Sequence, residues 1–427
     1  MFQLSSVTSS AILQIMTNSV LPHFVGIDVG THTIRCVVGV FDDESANLPS
    51  IIGYGSAPNP GMRKGVVSHI DDVAEAIARA VSEAERLAGV RITTATVNIN
   101  GAHVAGVDSR GVVAISTANR EISAEDKQRV EEAATIIQMP ANRVIVQIFA
   151  KNYRLDGHES IKDPVGMHGV RLEVDTHIVT VSTPAIKSLD AALDKAGVLP
   201  VHHTSSGLAA AEAVLTRQQK ESGTVLVDIG AGTTNLAVFE DGEVQHVAVI
   251  PIGGIHFTND LAIGLKTDLD IAEAAKLQAG SLNDDNKRLL NAKVHFEGKD
   301  HFFSNADIHM VLEARAEELF ELVDKELKKI HKSGKLPGGV VLVGGTSKLP
   351  GLAGFAREAL QLPARTGELQ PIGGLADKIA GPAYATAIGL MTLDMLLGQE
   401  PDSGRSGVNM LGGLKSTAQN VFKRFGR

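Results

Sequence analysis

The stretch VLVDIGAGTTNLAVFEDGEV, residues 225–244, decides how this chain folds. Its first apolar run predicts a buried strand, the small residues after Asp228 predict a sharp turn, and the second apolar run predicts a returning strand. Buried strands seldom end in an acidic side chain, so Asp228 indicates a function at the turn.

The same pattern occurs 200 residues earlier, in FVGIDVGTHTIRCVVGVF at 24–41. Helix-forming stretches follow the two units, at 71–90 and 258–280. The repetition predicts two related α/β halves. A third glycine-rich stretch, at 338–360, predicts a buried strand, a Gly-Gly-Thr-Ser turn and a helix that begins near Pro350. Its turn follows the end of a strand, where open α/β sheets bind ligands.

Length and composition limit the class of protein. With 427 residues, 44% of them hydrophobic, the chain is long enough for more than one core. The single cysteine, Cys36, forms no internal disulfide, and no Cys/His spacing predicts zinc, which favours a reducing compartment. The net charge of −9 argues against nonspecific nucleic acid binding. Residues 1–23 have a short apolar patch without basic residues before it, so we expect a loose extension.

The turns have the chemistry that a triphosphate requires. Glycines let backbone N–H groups approach phosphate oxygens, and threonine hydroxyls add donors. Asp28 and Asp228 are placed to hold the waters of a Mg²⁺ ion, because magnesium keeps several waters and uses few protein carboxylates. One such turn alone is equally well explained as an ordinary hairpin bend, but two copies and the Gly-Gly-Thr-Ser turn favour a nucleotide site. The predicted nucleotide-binding residues are Asp28, Gly30, Thr31, His32, Thr33, Asp228, Gly230, Gly232, Thr233, Thr234, Gly344, Gly345, Thr346 and Ser347.

These motifs resemble those of the actin-like ATPases, and among them those of the FtsA family of bacterial cell division proteins. DVGTHT, DIGAGTTN and GGTSKLPG are similar to the two phosphate motifs and the adenosine motif. Further similar stretches lie at 119–134, 161–180, 250–265 and 381–390. The resemblance implies an α/β, actin-like fold of two duplicated domains around a central ATP cleft. It also implies a small α+β subdomain inserted in the first domain and a C-terminal amphipathic helix.

The resemblance also implies domain boundaries. The parts are a first domain at 24–102 and 182–204, completed by 380–395; an inserted subdomain at 103–181; a second domain at 205–255 and 336–379; its small subdomain at 256–335; and a flexible linker at 396–408.

Several positions depart from the family pattern. Ala231 and Asn235 replace a glycine and an aspartate of many relatives, and Thr33 stands where many carry a lysine. Ser206 stands where DnaK and MreB have a Glu-Pro that orients the attacking water, and Glu212 is interpreted as a packed or solvated helix charge. We therefore expect a nucleotide-binding scaffold with at most weak ATPase activity, and not an enzyme.

The last residues, NMLGGLKSTAQNVFKRFGR at 409–427, predict an amphipathic helix with basic flanks and no acidic side chain. The helix is too polar to span a bilayer, so we expect it to lie in the interface of an anionic membrane. The alternative is a helix that docks on the protein's own core or on a partner. The predicted membrane-binding residues are Leu411, Leu414, Lys415, Val421, Phe422, Lys423, Arg424 and Phe425.

The resemblance to FtsA implies a function at the division septum, on the cytoplasmic face of the inner membrane. The protein would bind ATP and Mg²⁺, polymerise with itself through the second domain and residues 103–181, and tether FtsZ filaments of the Z ring to anionic lipid. The C-terminal tail of FtsZ would dock on residues 256–335, and other division proteins would attach. One alternative is a PilM-like cytoplasmic adaptor of type IV pilus assembly, which lacks such a basic tail. The other is an enzyme of the sugar-kinase or chaperone branch, against which Ser206 argues.

Overall fold

The computed structural model describes residues 22–41, 48–116, 119–283 and 291–398. The predicted membrane helix at 409–427 and nearly all of the predicted N-terminal extension lie outside these residues. His23, which the sequence pattern assigns to the extension, is instead the first residue of a strand, because it pairs with Val40.

Strands and helices are interspersed along the chain. The strands are β1 (His23–Val29), β2 (Thr33–Phe41), β3 (Pro49–Pro58), β4 (Met62–Arg63), β5 (Val66–Val67), β6 (Thr94–Ile99), β7 (Ala105–Ala114), β8 (Arg143–Leu155), β9 (His158–Ile161), β10 (Arg171–Ser182), β11 (Leu199–Ser205), β12 (Thr224–Ile229), β13 (Thr234–Glu240), β14 (Glu243–Ile250), β15 (Asn291–Phe296), β16 (Lys299–Ser304), β17 (Gly339–Val343), β18 (Ala364–Thr366) and β19 (Gly373–Gly374). The helices are α1 (Ile70–Ala88), α2 (Ala124–Ala134), α3 (Thr183–Lys195), α4 (Ser206–Val214), α5 (Arg217–Ser222), α6 (Gly254–Gly264), α7 (Leu269–Ala279), α8 (Asn305–Lys329), α9 (Leu352–Leu360) and α10 (Ala385–Gly398).

The two halves have the same sheet topology, as the sequence repeat predicts. The first half orders its strands β3-β2-β1-β6-β11 and the second orders them β14-β13-β12-β17-β18. In each half the first three strands are antiparallel and the last two join in parallel. The central strands β1 and β12 are buried almost throughout, which explains their unbroken apolar runs.

Two helices connect the halves and cross each other closely. A Cβ on Gly389 of α10 would lie 1.7 Å from the carbonyl oxygen of Ala209 in α4, so only glycine fits at this crossing. Helix α10 also lies on β1, where a Cβ on Gly26 would meet the Ala387 carbonyl oxygen at 2.3 Å. The carboxylate of Asp394 in α10 accepts hydrogen bonds from the Val25 N–H (2.9 Å) and from the Thr96 hydroxyl (2.7 Å).

Strands β7 to β10 and helix α2 form the inserted unit, with a small core of its own. Its strand β7 pairs with β14 of the second half through Ala105 and Ala248, so one nine-stranded sheet runs through both. Buried His177 strengthens this joint, because its Nε2 accepts the Val247 N–H at 3.0 Å and its Nδ1 lies 2.6 Å from Asp108 Oδ1. The inserted unit is therefore tied to the second half of the molecule.

The segment from 256 to 335 contributes most of α6 and all of α7, the β15–β16 hairpin and α8 to the second half. The predicted boundaries assign residues 373–374 to the second domain. These residues form β19, which pairs with β3 of the first half. Gly374 has a φ of 72° and approaches β3 so closely that a Cβ would lie 2.2 Å from the Ile51 carbonyl oxygen. None of the helices in the described ranges has both the length and the apolar character to span a membrane.

Candidate functional site

The two duplicated turns face each other between the halves. A Cβ on Gly232 of the second turn would lie 2.9 Å from the Oγ1 and Cγ2 atoms of Thr31 in the first. The hydroxyl of Thr233 donates a hydrogen bond of 3.0 Å to Asn100 Oδ1, which belongs to the first half. The structure therefore brings together turns that are 200 residues apart in the sequence.

The second turn is shaped by its own backbone and by the start of α6. The Gly230 N–H donates to the Thr233 carbonyl at 2.9 Å, and the Gly254 N–H donates to the Gly230 carbonyl at 2.9 Å. The hydroxyl of Thr234 donates to the Ile252 carbonyl at 2.8 Å. Thr234 thus stabilises the turn from inside the fold, whereas Gly232 and Thr233 lie on the side of the first half.

The first turn is held by Asn59, which the sequence pattern does not single out. Its Nδ2 donates to the Gly30 carbonyl at 2.8 Å and its backbone N–H to the His32 carbonyl at 2.8 Å. The His32 side chain is exposed and Thr33, which begins β2, is half-buried. The only local signal for Asn59 is its place between two prolines, Pro58 and Pro60, which is typical of a turn.

Asp28 and Asp228 are both buried at the ends of their strands. Burial raises the pKa of Asp28 to about 7, and the charge of Asp228 adds to this rise, while Arg35 and Asn98 oppose it. Burial likewise raises the pKa of Asp228 to about 6, against the hydrogen bond from Thr386 and the charge of Arg35. Two desolvated carboxylates, one of which is raised further in pKa by the charge of the other, favour a cation between or beside them.

Arg35 is the cation that the structure places at this point, and the sequence pattern did not predict it. Its Nη1 lies 3.7 Å from Asp28 Oδ2, and its guanidinium lies 5.3 Å from the ring centroid of Tyr384. Arg35 is the strand partner of Asp28, just as Asn235 is the strand partner of Asp228. Because Asn235 already stands out in the sequence, this equivalence in the repeat is the signal that would have identified Arg35.

Two of the unusual positions, Asn235 and Ser206, are linked to the carboxylates. The Asn235 amide lowers the pKa of Asp228, yet its nitrogen and oxygen make no well-formed hydrogen bond within the described ranges. Asn98 donates from Nδ2 to Asp28 Oδ1 at 2.8 Å and to the hydroxyl of Ser206 at 3.0 Å. Ser206 is therefore linked to the carboxylate site through Asn98.

The third turn, at 344–347, closes the site from the second half. Gly344 has a φ of 86°, and a Cβ there would lie 2.5 Å from Asp228 Oδ1. The Thr346 hydroxyl donates to the Gly230 carbonyl at 3.0 Å, and the buried Ser347 hydroxyl donates to the Gly344 carbonyl at 2.8 Å. Gly345 is exposed, and a Cβ there would meet nothing within 4 Å. Thr346 and Ser347 thus hold the turn, while Gly345 leaves open space beside it.

The donor set at these turns fits a magnesium nucleotide. In the part of the chain that the structure describes, no three His, Cys, Asp or Glu side chains form a metal-binding group. Asp28 and Asp228 instead suit an ion that keeps its waters and also binds phosphate. The predicted membrane-binding residues, from Leu411 to Phe425, lie outside the described residues.

Comparison with known proteins identifies the family. The family model described as "Cell division protein FtsA" matches residues 225–389, and the model "SHS2 domain inserted in FTSA" matches residues 101–180. The cell division protein FtsA of Pseudomonas aeruginosa is 37% identical over 373 residues, which cover 86% of this chain and 88% of that relative. This chain belongs to the FtsA family of cell division proteins. FtsA of Bacillus subtilis is 36% identical over 86% of this chain and 82% of its own length.

Solved structures confirm the predicted actin-like fold. The structure titled "PilM-PilN type IV pilus biogenesis complex" has a TM-score of 0.62 and 20% identity, and the match covers 88% of this chain and 99% of that chain. An MreB of Spiroplasma citri bound to ADP has a TM-score of 0.52 and 15% identity, with coverage of 88% and 99%. At these identities the likeness concerns the fold alone.

Proposed function

We propose that this FtsA-family chain is an ATP-binding scaffold that polymerises and tethers FtsZ filaments to the cytoplasmic membrane at the division septum. The nucleotide site carries the proposal: three glycine-rich turns meet around two buried carboxylates. Asp28 and Asp228 would hold Mg²⁺ through its waters, and the ion would neutralise phosphate charge. The turns around Gly30, Gly232 and Gly345 would hold the nucleotide.

Weak hydrolysis is part of the same proposal. The Ser206 hydroxyl already accepts a hydrogen bond from Asn98, and a serine is a poor general base for activating water. Glu212, the acidic residue further along α4, pairs with Lys220 at 2.5 Å and so has a structural role. ATP would then act mainly by holding the two halves together, as expected of a scaffold.

FtsZ binding is proposed for the small part of the second domain, residues 256–335. Five large apolar residues are well exposed there: Ile263 (77%), Leu277 (74%), Phe302 (67%), Met310 (61%) and Leu269 (56%). Exposed apolar groups of this kind suit a short peptide such as the C-terminal tail of FtsZ. The inserted unit also exposes Ile136 (86%), which supports self-association through residues 103–181.

Membrane attachment is proposed for residues 409–427. Helix α10 ends at Gly398, near the ring of Phe24 at the start of the first half, so residues 396–398 of the predicted linker are helical. The polar residues 399–408 follow in the sequence. A single amphipathic helix binds membranes weakly and reversibly, so joining many copies in a filament would multiply the attachment. Polymerisation and membrane anchoring therefore support each other.

Calorimetry tests the nucleotide site. Wild-type protein should bind ATP more tightly with Mg²⁺ than with a chelator. Asp228→Asn should lose that difference, because it removes one carboxylate that holds the ion's waters. Asp394→Asn, which changes a buried carboxylate bonded to Val25 and Thr96 instead, should keep it. Absence of any adenine nucleotide binding by the wild type would contradict the proposal.

Two further assays test the partners. The full chain should float with liposomes that contain anionic lipid, and a chain that ends at residue 408 should not. Phe302→Ser should weaken binding of a labelled FtsZ tail peptide at least about tenfold, since peptide anchors of this size contribute about 2 kcal/mol or more. Leu199→Ser, at an equally exposed position on β11, is the control. Equal flotation or equal peptide binding would contradict the respective assignment.

A further inference from the structure

A small hairpin places a lysine beside the first turn. Strands β4 and β5 are joined by Lys64 and Gly65. The Gly65 N–H donates a hydrogen bond of 3.1 Å to the Thr31 hydroxyl, so the hairpin tip is attached directly to the turn. Thr31 in turn lies against Gly232 of the second half. Lys64 therefore stands where the two halves come close together.

The backbone of Lys64 is unusual for its residue type. Its φ is 49° and that of Gly65 is 76°, a pair of left-handed conformations that favours asparagine and glycine. A bulky side chain in this region is strained, and such strain often marks a functional position. Lys64 is exposed, and within the described ranges no ion pair occupies its amino group. Its charge is thus available to a ligand.

The charge of Lys64 also reaches the opposite wall of the cleft. Burial lowers the pKa of His256 in α6, and the positive charges of Arg315 and Lys64 lower it further. His256 lies in the first turn of α6, whose Gly254 and Ile255 N–H groups hold the second turn. The amino group of Lys64, carried by the first half, therefore acts on the part of the second half next to that turn.

A nucleotide bound at these turns needs positive charge beyond Mg²⁺. The first turn, residues 30–33, contains no lysine or arginine, and Arg35 is already paired with Asp28. We propose that Lys64 binds the terminal phosphate of the nucleotide and makes the protein prefer a triphosphate to a diphosphate. This inference rests on the proposed nucleotide site. It assigns to the hairpin the cationic contact that the first turn lacks, and it makes the contact depend on closure of the cleft.

Competition binding with a fluorescent adenine nucleotide tests the inference on the full chain, with Mg²⁺ present. We expect Lys64→Ala to weaken ATP binding about tenfold or more, as for loss of one hydrogen bond to a charged group, and to change ADP binding less than about twofold. Lys64→Arg should retain most of the preference. Lys266→Ala is the matched control, because Lys266 is also exposed, has a φ of 52° and lies in the turn after α6.

The outcomes separate this inference from the proposed function. If the wild type binds neither nucleotide, the proposed site is wrong and Lys64 has no role there. If the wild type binds both but Lys64→Ala binds ATP normally, or loses ATP and ADP affinity equally, only the terminal-phosphate assignment is overturned. A Lys64→Gly variant guards against misfolding, because glycine relieves the strained backbone while removing the charge; it should show the same selective loss of ATP affinity.

Discussion

Replacing Asp28 by asparagine should make the stability of the nucleotide-free protein less dependent on pH. Burial raises the pKa of Asp28 from 3.8 to about 7, so the folded state holds a proton there that the unfolded chain releases. Because the folded state binds more protons in this window, the free energy of unfolding falls as pH rises from about 4 to about 7. The stability lost is about 4 kcal/mol, because each tenfold difference in proton affinity between the folded and unfolded states corresponds to about 1.4 kcal/mol.

Asparagine has no charge to desolvate, and its carbonyl oxygen still accepts the hydrogen bond that Asn98 donates to Asp28 Oδ1 in the wild type. Asp28→Asn should therefore be about as stable as the wild type near pH 4 and more stable by up to about 4 kcal/mol at about pH 8. Urea denaturation of both proteins across this pH range, without nucleotide, measures the difference.

Magnesium and ATP give the second readout. Saturating Mg²⁺ and ATP should stabilise the wild type more at pH 8 than at pH 5, because the ion favours the ionised carboxylates. Asp28→Asn should lose most of this stabilisation, and Asp394→Asn, whose carboxylate is bonded at the other end of β1, should keep it. If Asp28→Asn is less stable than the wild type at pH 8, or has the same pH slope, the desolvated-carboxylate reasoning is wrong.

Three more substitutions test packing around the site and the joint. Gly232→Val should weaken ATP binding by pushing Thr31 away, since even a Cβ would lie 2.9 Å from its side chain; calorimetry measures this, and unchanged affinity would refute the contact. Gly106→Ala places a Cβ 2.4 Å from the His177 ring and should cost about 1–3 kcal/mol in urea denaturation, with faster proteolysis of the inserted unit. Phe320→Ala, in the core of the second half, should cost about 3–5 kcal/mol in the same assay; a loss below about 1 kcal/mol would contradict its full burial.

The sequence alone determined the two strand–turn–strand units and the glycine turn before α9. These features are local: an apolar strand, a turn that needs glycine and an acid at the strand end can all be recognised within about twenty residues. The spacing of the repeat also predicted the matching sheet topology of the halves, since both units begin their sheets with the same antiparallel pair. The family resemblance added a prediction of the domain boundaries.

Only the tertiary structure decided which side chains complete the site. Asn59 donates a hydrogen bond to Gly30, which is 29 positions away, and Asn98 donates to Asp28, 70 positions away, and to Ser206, 108 positions away. No local sequence pattern marks such pairs. The pKa shifts of Asp28 and Asp228 likewise arise from burial between the halves, which exists only after they meet. The same holds for the pairing of β7 with β14 and for the position of Lys64 beside Thr31, because long-range packing, and not the periodicity of any one segment, sets these contacts.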